Sequence, residues 1–280
     1  MAWTLTENLE QYDAAVGGVL RASPVSHTIQ LSVLETLRVN GASAFGETAP
    51  LFGWCQSADG GIDGSFLVTP PFPILLTPMS LAAVRQLAEA FRASGRDLVG
   101  VNSDQGTATA FAAAWHELTG AKSAVHRRTR MFRLDSLVRP EPWPAGAARV
   151  AAEPDRQLLE RWFGEFGREV NELGHFSGVI DDRLSYGGIT LWEAGGVPVA
   201  MAGMTRAVAG VARVGPVYTP ADQRRQGYAG AATVTISQSM LDAGIEHVIL
   251  FTDLANPTSN ALYQRIGYIP VEDTVILEFT

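Results

Sequence analysis

The residues best suited to chemistry lie in one short run, Arg224-Arg-Gln-Gly-Tyr-Ala-Gly230, between a strand-like stretch and a helical one. Backbone N–H groups at a helix start have no partner inside the helix, and the helix dipole adds positive charge there. Such a turn accommodates an anion, a phosphate above all. Gly227 lets the anion approach without a Cβ in the way, and Ala229 and Gly230 keep the next turn small. Arg224 and Arg225 add charge-assisted donors that suit phosphate oxygens. Taken alone, the run also reads as a glycine turn ahead of a solvated basic helix start. It is followed by Thr252–Tyr268, TDLANPTSNALYQRIGY, where a strand breaks at Asn256-Pro257. There Thr258 or Ser259 caps a helix and Tyr263 falls on it one turn in, as a core aromatic or as a functional hydroxyl.

The elements that must position these residues follow from periodicity and from glycine and proline punctuation. In the second half a strand at 148–152 leads to a helix with Leu158, Leu159, Trp162, Phe163, Phe166 and Val170 on one face. A second helix is expected at 176–184, then strands at 188–193, 198–206 and 211–219, turned at Gly195-Gly196 and Ala209-Gly210. A helix at 225–243, a strand at 247–252, a helix at 258–266 and two strands at 268–271 and 274–279 complete it. The first half repeats much of this order: helices at 6–21 and 26–39, strands at 51–57, 65–69 and 74–77, a helix at 80–93, a strand at 97–102 and a helix ending at Gly120. Thr77-Pro78 aligns with Thr219-Pro220, Gly95 with Gly244 and Gly120 with Gly267. The first half is seven residues shorter between its proline and its first glycine, where the glycine run would lie. These landmarks point to an internal duplication with one site erased. The segment Arg139–Gly146, with three prolines, reads as the boundary between domains at 1–139 and 147–280.

Composition narrows the class of function. A chain of 280 residues that is 46% hydrophobic and 18% charged is too apolar for disorder and long enough for two domains. The histidines at 27, 116, 126, 175 and 247 never fall at metal-ligand spacing, and Cys55 is the single cysteine, so no metal and no disulfide are expected. The net charge of −8 is concentrated in residues 140–280, which carry −7 and disfavour a nucleic-acid partner. The uncharged run 64–84 contains Pro70, Pro71, Pro73 and Pro78, which exclude a membrane helix. With no signal-like N-terminus, the expectation is a soluble cytoplasmic protein; its oligomeric state is not legible. No GxSxG elbow, GxxxxGK[ST] loop or GxGxxG turn is present.

Over its whole element order, residues 147–280 resemble the GCN5-related N-acetyltransferase (GNAT) superfamily. The stretch VYTPADQRRQGYAG is similar to that family's R/Q-x-x-G-x-G/A acetyl-CoA motif, with Arg224, Gly227 and Ala229 at the defining positions. NPTSNALYQRIGY is similar to the segment carrying its pantetheine contacts and a tyrosine near the thioester sulfur. The first half resembles the same fold with a degenerate motif. The resemblance implies an α/β fold with a mixed sheet, two GNAT-like acyl-CoA N-acyltransferase domains in tandem. It further implies pantetheine on the backbone of Val217, Tyr218 and Thr219, and pyrophosphate on the amides of Gln226, Gly227, Tyr228, Ala229 and Gly230 beside Arg224 and Arg225. Asn256 and Ser259 would steady the pantetheine arm, and Tyr263 would protonate the departing thiolate. A small-molecule amine would attack the acetyl carbonyl directly, with no covalent acyl-enzyme.

A primary amine, with a pKa near 10, also needs a base at neutral pH. The stretch Val211–Thr219 has no carboxylate where many relatives carry a catalytic Glu. Glu193 is the first candidate, followed by Asp181, Asp182, Glu172 and His175. Other readings keep coenzyme A but change the acyl group or acceptor, or make the chain an acyl-CoA sensor or scaffold without turnover. Because TPMSLAAVRQ offers no glycine in the first half, one acetyl-CoA per chain is expected, bound by residues 147–280. Calorimetry giving a stoichiometry near two would overturn this.

Overall fold

The protein is described by a computed structural model that covers residues 3–57, 59–170 and 176–280. The elements of the first half are β1 (Trp3–Thr6), α1 (Leu9–Ala22), α2 (Thr28–Asn40), β2 (Leu51–Gln56), β3 (Ile62–Val68), β4 (Ile74–Leu76), α3 (Leu81–Ser94), β5 (Gly100–Asp104), α4 (Gln105–Thr119) and β6 (Ser123–Leu134). Those of the second are β7 (Ala147–Val150), α5 (Arg156–Glu169), α6 (Ser177–Ser185), β8 (Ile189–Ala194), β9 (Val197–Met204), β10 (Val211–Tyr218), α7 (Tyr228–Asp242), β11 (His247–Asp253), α8 (Pro257–Arg265) and β12 (Tyr268–Phe279). Single 3-10 turns at Glu153–Asp155 and Ala221–Gln223 precede α5 and α7.

Two compact units result. The first comprises Met1–Arg130, Asp253–Ala255 and Glu272–Thr280; the second comprises Met131–Thr252 and Asn256–Val271. The division falls in the middle of β6 and β12, each a 12-residue strand that begins in one unit and ends in the other. The proline-rich Arg139–Gly146 lies within the second unit. Trp143 anchors it there, packing edge-on against Trp192 at 5.4 Å with Arg139 stacked on its ring. Three strand features differ from the sequence expectation: β1 and β6 are additional, and 268–279 is one continuous strand.

In the first unit the strand order is β1-β2-β3-β4-β5-β12-β6, with β4 and β5 parallel. Helices α3 and α4 bury Leu87, Phe91, Phe111 and Trp115 against Phe66 and Val101 of the sheet. Asp104 ends β5 and starts α4, its carboxylate accepting from the amides of Gly106 at 2.9 Å and Thr107 at 3.0 Å.

In the second unit the order is β12-β6-β11-β10-β9-β8-β7, with β10 and β11 parallel. Helices α7 and α8 cover Ala202, Ala212, Val214 and Leu250. Ala231 and Ala232, fully buried, let α7 lie close to the strands. The opposite set of strand residues, Leu191, Met201 and Tyr218, packs on Leu159, Trp162 and Phe163 of α5 and Ile180 of α6. Deep in the unit, the Tyr268 hydroxyl and Ser237 Oγ share a hydrogen bond of 2.6 Å.

Among the described residues no helix is long and apolar enough to cross a membrane. Replacing Asp104 by Ala removes both capping bonds of α4, so about 1 kcal/mol of stability should be lost. A urea titration of the first unit's unfolding checks this; an unchanged midpoint would show the cap to be inert.

Candidate functional site

The site begins where a strand ladder stops. β10 pairs with β11 from Val211–His247 to Val214–Leu250, and this parallel pairing ends four residues before β10 does. On its other side, β10 slips register against β9 between Val214 and Val217, at Gly215-Pro216. Proline has no N–H to donate, so a ladder cannot run through it, and an extra residue at a bulge reverses which face later side chains take. Val214 therefore packs with α7, while Tyr218 packs with α5. Residues 215–218 leave β11 behind, and their backbone edge is open to an extended ligand. Thr219 Oγ1, buried at the end of this stretch, has no hydrogen-bond partner among the described residues.

The connection from β10 to α7 is short and strained. Arg225 has φ 65° and Gly227 has φ 84°, both left-handed. A left-handed arginine is uncommon, and such outliers persist where the surrounding structure requires them. The two left-handed residues delay α7 to Tyr228, three residues later than the helical pattern implies. Asn8, Ser80, Asp104 and Asn256 cap their helices with side-chain oxygens, whereas Gly227 leaves the α7 amides without a side-chain cap. A Cβ on Gly227 would meet nothing nearer than Pro144 Cγ at 3.7 Å, so the space before the helix is open. One on Gly230 would press Leu262 Cδ1 at 3.2 Å, so that glycine serves the approach of α8. Arg224 turns back, with Nε donating to Thr219 O at 3.0 Å and Nη2 paired with Glu169. Arg225 and Gln226 are exposed.

The α8 segment completes the surroundings. Asn256 Oδ1 accepts from the Ser259 amide at 3.0 Å, so Asn256 is the cap that sequence reading assigned to Thr258 or Ser259. An Asn before Pro at the first helical position is itself a good cap. Val217, Tyr228 and Tyr263 pack on one core cluster, bringing the end of β10, the start of α7 and the later part of α8 together. Tyr263 is 8% exposed, and burial pushes its hydroxyl up to about 12.

The candidate bases are placed differently. Glu193 accepts from Arg149 Nε at 2.7 Å, and Arg149 also grips Asp155 at 2.6 Å. Asp181 pairs with Arg156 and Asp182 with Arg206. Glu172 and His175 lie outside the described residues. The carboxylate that does reach the strand end is Glu165 of α5, which sequence reading missed. Its Oε2 accepts from the Tyr218 hydroxyl at 2.9 Å. Burial first, and then this carboxylate, push Tyr218 up to about 12. A signal existed: Glu165 and Glu169 are one helical turn apart, on the helix whose apolar face was recognised.

The first unit has closed the equivalent place. Ser80 Oγ accepts from the Ala83 amide at 3.2 Å at the start of α3. Asp63 in turn accepts from Ser80 N at 3.3 Å and Oγ at 2.6 Å, setting a carboxylate where an incoming anion would go. Ser103 Oγ donates to Leu76 O at 3.1 Å, stitching β5 to β4.

Residues 147–268 match the model of the acetyltransferase (GNAT) family. This part of the chain is a GNAT domain. The solved structures extend the likeness to both halves. A GCN5-related N-acetyltransferase from Kribbella flavida shares 22% identity, covering 77% of this chain and 86% of that one, with a TM-score of 0.54. One from Sphaerobacter thermophilus shares 16% over 98% and 94%, with a TM-score of 0.62. A tandem GNAT protein from the clavulanic acid biosynthesis pathway shares 12% over 99% and 98%, with a TM-score of 0.57. The whole chain thus has the mixed α/β fold of tandem GNAT proteins. No curated protein matches the sequence. Among the described residues no cluster of His, Cys, Asp and Glu is arranged to hold a metal.

Proposed function

We propose that the second half of the chain is an acetyl-CoA-dependent N-acetyltransferase that moves the acetyl group to a small amine. The observation that carries this reading is the uncapped start of α7, with left-handed Arg225 and Gly227 before it, at the end of a strand that has left its partner. Amides of residues 226–230 and the helix dipole suit a pyrophosphate, and Arg225 adds charge. The open backbone of Val217, Tyr218 and Thr219, with the orphan Thr219 Oγ1, suits the amide groups of a pantetheine arm. Asn256 and Ser259, at the start of α8, would steady that arm. The first half, with Asp63 and Ser80 in the anion position, acts as a GNAT-like domain without a coenzyme site.

Acetyl-CoA supplies an activated carbonyl and a thiolate leaving group. The acceptor amine must lose a proton before it attacks, and Glu165, at the open end of β10, is the base this geometry favours. Glu193 is less suited, because Arg149 already occupies its oxygen. Tyr263 serves as the hydroxyl beside the leaving sulfur. With its pKa raised to about 12, it stays protonated, and so able to donate, throughout the working range.

Gly227→Glu tests the cradle by placing a side chain and a negative charge in the anion position. Losing two charge-assisted bonds should weaken acetyl-CoA binding by about 100-fold or more. Unchanged affinity by calorimetry in the folded variant would sink the site assignment.

Tyr263→Phe keeps the packed ring and removes the donor. A thiol pKa near 8.5 makes unprotonated release only moderately costly at pH 7, so kcat should fall by about 10- to 100-fold. The deficit should shrink as pH passes the thiol pKa, and no limb should come from Tyr263 itself between pH 6.5 and 9.5. Equal rates for both proteins at every pH in that range would make Tyr263 a packing residue only.

A further inference from the structure

One glycine of β9 makes room for an arginine, and the carbonyl of another in the neighbouring β10 receives it. A Cβ on Gly203 of β9 would strike Arg183 Nη1, and that same nitrogen donates to the carbonyl of Gly215 in the β10 bulge. The guanidinium also lies over the Phe163 ring, with Cζ 5.6 Å from its centroid. It is thus held by an aromatic face of α5 and a backbone carbonyl, in a half-buried position. Removing a guanidinium from water is costly unless an anion compensates it. Arg183 has no carboxylate partner among the described residues. The acids next to it in sequence are turned to other arginines, Asp181 to Arg156 and Asp182 to Arg206.

A second arginine lies nearby. Arg213 projects from β10 two residues before Gly215. Burial first, and then Arg183, pull the Arg213 guanidinium down to about 10, still charged at neutral pH. Farther along the same strand is Tyr218, whose hydroxyl donates to Glu165 of α5. The bulge that releases β10 from β11 therefore has a cationic group at one end and a carboxylate at the other.

Resting on the acetyltransferase reading, we infer that Arg183 recognises a carboxylate on the acceptor, so that the substrate is an amine that also bears a carboxylate, in the manner of an amino acid or a peptide end. One planar fork fits one carboxylate, with parallel N–H donors left beside the one spent on Gly215. The amine of such an acceptor points along β10 toward Glu165, and its carboxylate stays at the bulge. Phe163 and the two strand glycines fix the fork before substrate arrives, which lowers the cost of ordering it.

The test follows thiol release from acetyl-CoA with amino acids and dipeptides, each compared with its methyl ester and its decarboxylated amine. The unaltered protein should prefer the carboxylate-bearing member by roughly 100-fold in kcat/KM, the worth of a paired charge-assisted contact. Arg183→Gln should abolish that preference, chiefly through KM, leaving the ester's rate and the acetyl-CoA affinity within about threefold. Arg183→Lys should restore part of it. Equal efficiency on acid and ester, turnover of esters alone, or no turnover of any of these amines by a protein that binds acetyl-CoA would overturn the inference. So would an Arg183→Gln protein that loses both acceptors equally, which marks a structural role. The acid and ester comparison on the unaltered protein decides the matter even where a variant fails to fold. Absence of acetyl-CoA binding would instead refute the acetyltransferase reading and take this inference with it.

Discussion

Pro216 has no N–H to give, and much of the second unit's site follows from that absence. A strand interior with a proline cannot keep its ladder, so β10 bulges against β9 and leaves β11 after Val214. The bulge reverses the facing of later side chains, sending Tyr218 to α5 and keeping Val217 with α7. It exposes the backbone edge of β10 and presents the Gly215 carbonyl to Arg183.

The two units show what happens to one fold with and without that gap. In the second, the helix after the diverging strand begins at a left-handed glycine and has no side-chain cap. In the first, α3 begins at Ser80, whose hydroxyl caps the helix while Asp63 holds the serine from behind. The same electrostatic demand, negative charge at a helix N-terminus, is met by side chains in one unit and by no side-chain cap in the other. Packing needs only the first solution, so the helix and sheet persist around it.

The fold was largely legible because its signals are local. Helical periodicity and the glycines at 95, 120, 244 and 267 place α3, α4, α7 and α8 within a few residues, and Gly195-Gly196 marks a hairpin. β6 escaped notice because His126-Arg-Arg-Thr-Arg130 has no apolar alternation and its first residues are exposed. β1 is four residues long and half-buried. The start of α7 was misjudged because no rule expects φ 65° at an arginine. The glycine loop was legible in the candidate site, since its chemistry is carried by consecutive backbone groups. Side-chain partnerships were not: Glu165 with Tyr218 spans 53 residues, and Glu193 with Arg149 spans 44. Nothing in the spacing of those residues distinguishes a paired acid from a free one.

The sharing of β12 has a consequence for how the chain comes into being. Residues 272–280 belong to the first unit although they follow the second unit in the chain. During synthesis the first unit must therefore wait, one strand short, until the second unit has been made, and N-terminal-first folding is denied to it. Its core residues Val275 and Leu277 arrive only then. For the same reason, scissors applied at the proline-rich segment would give two broken pieces. The first would lack its sixth strand, and the second would carry a stray half-strand with no sheet to join.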